Sequence, residues 1–243
     1  MVVRNGNDLY SFATGVVQQD TLGERVAQAL RRAIILRELP PGLHIPEPVL
    51  AERYGVSRLP VRDALSQLEH EGLIRIEPRR GAFVVGFTEE DLDGVYDCRR
   101  VLESHAVRRA ASRADAQGIA DLQAVADEMQ AGLFSSNTQL VAATDIQFHR
   151  RIVRMSGNRM LCTAWEPLAG LIATIVSITD VLIMDLASAV GSHQTLIQAL
   201  AEHDEELAET LMRRHLVDGE VLMHDALKQM QDDAASLPPP TFD

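Results

Sequence analysis

Apolar residues recur at helical spacing along most of the chain and switch to strand spacing at one place. Leu22, Val26, Ala29, Leu30, Ala33 and Ile34 form one stripe, with Arg25, Arg31 and Arg32 off it. This predicts a helix over 22–36 that Pro40-Pro41-Gly42 brings to an end. Leu50, Ala51 and Tyr54 give a short second helix one buried face, with Pro48 near its first turn, where a missing N–H costs nothing. Gly55 supplies the left-handed residue of a tight helix stop, Val56 plugs the turn, and Ser57 is a good N-cap for a third helix. That helix buries Val61, Ala64, Leu65 and Leu68 and leaves Arg58 and Arg62, four apart, on one outward face. The period then changes. Leu73, Ile74 and Ile76 precede the turn composition Pro78-Arg79-Arg80-Gly81, and Ala82-Phe83-Val84-Val85 reads as the returning strand, with Ile45 as a short third strand.

From Thr88 onward the pattern is helical without a convincing strand. Thr88-Glu89-Glu90-Asp91 opens a helix with a hydroxyl cap and acidic residues at the positive dipole end. Amphipathic stretches follow at 92–114, 116–134, 140–155, 160–180 (interrupted near Pro167), 184–201 and 205–230. The fold class is therefore mainly α: an N-terminal winged helix-turn-helix with a small β-wing, then an antiparallel α-helical bundle. The expected organisation is a flexible arm at 1–20, a winged helix-turn-helix at 21–87, a helical domain at 88–232 and a flexible tail at 233–243.

Charge sharpens this division. The 243-residue chain carries a net charge of −12, yet 21–87 holds 10 basic and 8 acidic residues, against 12 and 25 in 88–243. The acidic excess lies outside 21–87, and the step near Phe87 marks a boundary. No uninterrupted apolar run reaches the ~18 residues of a membrane span. The longest candidate, 168–183, is broken by Asp180, and the N-terminus lacks a secretory pattern, so a cytoplasmic protein with no membrane partner is expected. Cys98 and Cys162 have no metal-type spacing and are read as free thiols.

Two short helices around a glycine turn, arginines at the start of the second and a basic hairpin tip point to duplex DNA. Arg79 and Arg80 taken alone also fit a solvated turn; the helix-turn-helix before them favours phosphate or minor-groove contact. Pro41-Gly42, Ile45, Glu47, Leu50-Ala51, Gly55-Val56-Ser57-Arg58, Pro60-Val61-Arg62, Ala64-Leu65, Leu68, Glu71-Gly72-Leu73 and Arg80-Gly81 resemble the DNA-binding domain of GntR-type bacterial transcription regulators. Ser57, Arg58, Pro60, Arg62, Arg79, Arg80 and Gly81 are the DNA-binding candidates. Pro48-Val49 departs from the polar or basic pair frequent in that family, which leaves the site preference on DNA open.

In the helical part, Asp145 and His149 lie four apart on one helix, His193 on the next but one and His215 on the last. Converging, these four would suit a borderline first-row cation such as zinc, nickel, manganese or iron; spacing alone favours local pairing of Asp145 and histidines satisfied in the core or at the surface. Asp145 through His149, Ser156-Gly157-Asn158, His193, Asp204, Met212 and His215-Leu216 resemble the effector domain of the FadR branch, the FCD domain. That resemblance implies a metal held by Asp145, His149, His193 and His215. It also implies a homodimer and a small effector, expected to be a carboxylate, with Arg99 and Asn158 as candidate contacts. Arg99 has the alternative of an internal salt bridge to Glu103. The resulting expectation is a repressor on double-stranded operator DNA, modulated by a small organic acid, a divalent metal ion, or both. A metal-dependent enzyme acting on a small acid and a metal-only sensor are the alternatives. No paired acid and base, partnered nucleophile or phosphate-cradling loop is visible to support an enzyme.

Overall fold

The computed structural model describes residues 21–178 and 183–235. The proposed arm at 1–20, Asp180 and the end of the proposed tail, 236–243, lie outside them. Three helices open the chain: α1 (Leu22–Ile35), α2 (Glu47–Tyr54) and α3 (Arg58–His70). Thr21 and Glu24 form a reciprocal capping box at the start of α1. Pro48 sits in the first turn of α2, and Gly55 ends that helix with φ 63°. Ser57 occupies the N-cap of α3 with extended backbone, but its hydroxyl makes no capping hydrogen bond. The expected contribution of that side chain to holding the helix start is therefore absent. Tyr54, expected on the buried face of α2, is exposed; Leu50 alone on that helix is fully buried.

Strands β1 (His44–Ile45), β2 (Ile74–Glu77) and β3 (Gly81–Val84) form an antiparallel sheet in the order β1-β3-β2. Ile45, Ile74, Ala82 and Val84 turn inward onto Val26, Leu30, Ile34, Val61, Leu65 and Leu68. This is a winged helix-turn-helix with one apolar centre.

Six helices follow: α4 (Glu89–Ala111), α5 (Ala116–Phe134), α6 (Thr138–Met155), α7 (Arg159–Ile178), α8 (Ile183–Ala201) and α9 (Glu205–Ala235). Thr88 and Asp91 form a capping box on α4, and Asn137 caps α6, which begins at Thr138, two residues ahead of the predicted start. The last helix continues to Ala235, so 233–235, expected in the tail, are helical. Pro167 does not interrupt α7. Thr163 and Pro167 share an exposed face, so the carbonyl that loses its helical donor lies toward water, which can satisfy it. Stretch 159–177 is long and apolar enough, at mean hydropathy 1.4, to cross a membrane by length and composition. The strict-run criterion missed it because its polar residues are spread out. Here Leu161, Trp165, Ala169, Leu171, Ile172 and Ile175 are buried, and α7 packs on α1, α4 and α6.

Two apolar clusters build the interior. One joins the winged domain to Leu92, Val95, Tyr96, Ile146, Trp165 and Leu227; the other gathers Val107, Leu122, Phe148, Ile152, Leu196, Leu200 and Met212. Along α4, buried Arg99 and Glu103 fall between Tyr96 of the first and Val107 of the second. A polar site is thereby enclosed within apolar packing.

Candidate metal centre and nucleic-acid interface

Helix periodicity brings Asp145 and His149 to one face of α6, and α8 and α9 bring His193 and His215 against it. One ligand atom from each of the four lies within 4.8 Å of every other. His149 Nε2 is 3.1 Å from His215 Nε2, and His193 Nε2 is 3.3 Å from Asp145 Oδ1. His149 and His193 are buried, and Asp145 and His215 half-buried.

The surroundings fix ring orientation. His149 Nδ1 is 2.6 Å from Glu103 Oε2, off the line of a good hydrogen bond but close enough for strong attraction. Glu103 Oε1 accepts from Arg99 Nε at 2.7 Å and from the Trp165 indole N–H at 2.8 Å. The Ser192 hydroxyl lies 2.7 Å from His215 Nδ1. A carboxylate beside Nδ1 favours the proton there and turns the Nε2 lone pair of His149 into the cluster, as outer partners of metal-bound histidines do. Two Nε2 lone pairs facing each other at 3.1 Å repel unless a proton or cation lies between them. The donor set therefore fits a first-row cation.

Electrostatics agree. Burial opposes ionisation of Asp145, but His149, His193 and Arg99 outweigh it and hold its carboxyl well below the usual range. Glu103 is likewise penalised by burial and brought well below its usual range by Arg99 and His149. Burial, then repulsion from His193 and His149, pushes His215 well below the ordinary histidine value, which keeps it neutral, as a ligand must be.

Beside the cluster lies a cavity of about 60 Å³, lined in part by Tyr96, Arg99, Asp145, His193, His215 and Met223. Arg99 is 3% exposed; its Nε pairs with Glu103 while Nη2 is buried without a hydrogen-bond partner. The salt bridge and the cavity position thus coexist. Tyr96 stacks under the guanidinium at 5.2 Å, and burial pushes its phenol up to about 12. Asn158 does not line this cavity. Its carboxamide oxygen accepts from the backbone N–H groups of Met160 and Leu161, a cap at the start of α7. This is a correction to its expected place: the Ser-Gly-Asn turn aims the side chain at its own helix. Among the described residues a second group, Asp93, Glu220 and His224, also brings ligand atoms together, but at the surface and with Glu220 engaged by Arg100.

At the other end of the chain, Arg58 and Arg62 are exposed in the first turns of α3, and Pro60 is half-buried between them. Arg62 Nε donates to Glu47 Oε2 at 2.8 Å. Leu59, which hydrophobic periodicity passes over, is 67% exposed beside them. In the wing, Pro78 and Arg79 form the corner, Arg79 at φ 64°, and Gly81 opens β3 at φ 95°. A Cβ on Gly81 would lie 2.7 Å from His44 Nε2. Arg80 pairs with Glu77 and sits 5.4 Å from the Phe83 ring centre.

Two family profiles match: that of the bacterial regulatory proteins of the gntR family at 22–84 and that of the FCD domain at 94–218. The chain belongs to the GntR family. It is similar to the gluconate operon transcriptional repressor of Bacillus licheniformis, 28% identical over 190 residues, 76% of this chain and 78% of that one. It is also similar to a probable D-xylose utilization operon transcriptional repressor of Paenarthrobacter nicotinovorans, 29% identical over 81% of this chain and 86% of the relative. E. coli McbR/YncC shares the fold, with a TM-score of 0.69 and 22% identity over 85% of this chain and 99% of that one. This GntR protein is accordingly a DNA-binding transcription regulator rather than an enzyme.

Proposed function

We propose that this GntR regulator is a repressor of the FadR branch whose hold on operator DNA responds to a small carboxylate and a divalent cation in its helical domain. The observation that carries the reading is a single one: three imidazoles and a carboxylate converge beside a cavity walled by a buried, partly unpaired arginine. Asp145, His149, His193 and His215 would hold the cation, and Arg99 Nη2 would take the carboxylate. When bound, the cation supplies positive charge and open positions for anionic oxygen. A guanidinium with buried hydrogen-bonding capacity beside such a centre selects a planar anion. The gluconate operon repressor, a relative, is named for a hydroxy-carboxylate, which supports the same ligand class. Ser57, Arg58, Pro60 and Arg62 on α3 and Arg79, Arg80 and Gly81 in the wing are assigned to the DNA. A homodimer would present two such surfaces to a pseudo-palindromic site.

Elemental analysis tests the cation site. His149→Ala and His193→Ala should each lower metal bound per chain, and full occupancy in both variants would refute the assignment. A panel of hydroxy-acids beginning with gluconate, added to metal-loaded protein, should raise the melting temperature by binding the folded state. Arg99→Lys should shrink that rise, because ammonium lacks the planar fork. A panel that produces no shift at all would leave the cavity a structural void.

A further inference from the structure

Helix α7 lies between the candidate metal centre and the winged domain and touches both through polar contacts. On one side Trp165, fully buried, donates its indole N–H to Glu103, whose other oxygen faces His149. On the other side α7 covers an ion pair of the winged domain. Arg31 of α1 grips Glu71 with two nitrogens, Nε to Oε2 at 2.6 Å and Nη2 to Oε1 at 2.7 Å, and the two side chains are 5% and 2% exposed. Glu71 is the C-cap residue of α3, the helix that carries Arg58 and Arg62.

The fit over this pair is specific to α7. A Cβ at Gly170 would lie 3.1 Å from both Arg31 Nη2 and Glu71 Oε1. Bare helical backbone covers the fork, and even a methyl there would require the Arg31 and Glu71 tips to give by a few tenths of an ångström. One turn on, the Thr174 hydroxyl donates to the Gly170 carbonyl at 2.9 Å and accepts from Arg31 Nη1 at 3.4 Å. At about 100° per residue, positions 170 and 174 lie on the opposite side of the helix from 165. A buried pair is costly to leave half-satisfied, so a shift of α7 cannot be absorbed gradually there.

We infer that α7 is the relay by which the metal centre acts on the DNA-reading helix: Trp165 senses Glu103, and Gly170 and Thr174 pass the position of α7 to the Arg31–Glu71 pair at the end of α3. The inference rests on the proposed cation site for its trigger and goes beyond it in naming the route. A relay requires two arrangements that both ends bias, and the covered ion pair supplies the discrete element.

Amide hydrogen exchange on the full chain, with zinc as the probe and chelated protein as reference, tests it. Zinc should change exchange at 27–35 and 66–73 by at least about fivefold in the parent chain, a typical coupling. Gly170→Val should bind zinc at the same stoichiometry yet lose that change. Thr174→Val, equal in size and lacking only the hydroxyl, serves if the glycine variant fails to fold. In metal-free protein Trp165→Phe should raise exchange in both segments, and should no longer do so in combination with Thr174→Val. Zinc bound at full stoichiometry with both segments unmoved, or a Trp165→Phe effect confined to α4, α6 and α7, overturns the relay. Failure of zinc to bind the parent chain would count against the cation site alone, and the Trp165→Phe arm then decides the route.

Discussion

Glu103 shows how much one buried side chain can organise. It meets Arg99, His149 and Trp165 at once and is fully buried. Its carboxyl is held below the usual range, as is that of Asp145, so both bind fewer protons folded than unfolded. A depressed folded value gives stability that is present above the unfolded value, near 4.3 for glutamate, and is lost as pH falls toward the folded one. Melting temperatures measured from pH 7 to pH 3 should therefore fall below about pH 4.5 in the parent chain. Glu103→Gln should lower stability at neutral pH by roughly 3 kcal/mol, because it strands a buried guanidinium, and should flatten the acid limb. The same acid slope in both chains would remove Glu103 as its source. At this scale the sequence was legible where the chemistry is periodic: Asp145 and His149 share a helix face, and His193 and His215 lie on helices that pack nearby. The Arg99–Glu103 pair was legible from its spacing of four, but the meetings of Glu103 with His149 and Trp165 were not. Glu103 and Trp165 meet across 62 positions, and only the packing of α4 on α7 brings them together.

Among elements, the wing corner carries local strain. Arg79 has φ 64°, a region that costs a side-chain-bearing residue ~1 kcal/mol and glycine almost nothing. Arg79→Gly should hold or raise stability by up to ~1 kcal/mol in urea unfolding while weakening DNA binding. A loss of stability with DNA affinity unchanged would make the corner an ordinary turn. Helices read well from sequence, since apolar stripes and caps such as Thr88 and Gly55 fix their ends locally. Pro167 misled because a proline stops a helix only when the orphaned carbonyl cannot reach another donor, and exposure is not visible in a sequence. Tyr54 misled for a related reason: its spacing matches Leu50, but α2 is too short to bury a face that wide.

In the whole molecule, the acidic excess sits with the helical domain and the basic surface with the winged domain. Within that surface, however, three arginines already have a carboxylate beside them: Arg62 with Glu47, and Arg75 and Arg80 both with Glu77. A guanidinium that keeps a carboxylate beside it attracts fewer condensed ions away from a phosphate backbone than an isolated one. The consequence is thermodynamic rather than architectural. The logarithm of DNA affinity should decline with the logarithm of salt less steeply than the arginine count suggests, each fully released contact being worth a slope of about 0.9. Glu47→Gln and Glu77→Gln should steepen that decline and tighten binding to random duplex. The native glutamates would then serve to hold down indiscriminate attachment to the chromosome, leaving the regulator free to find its own site.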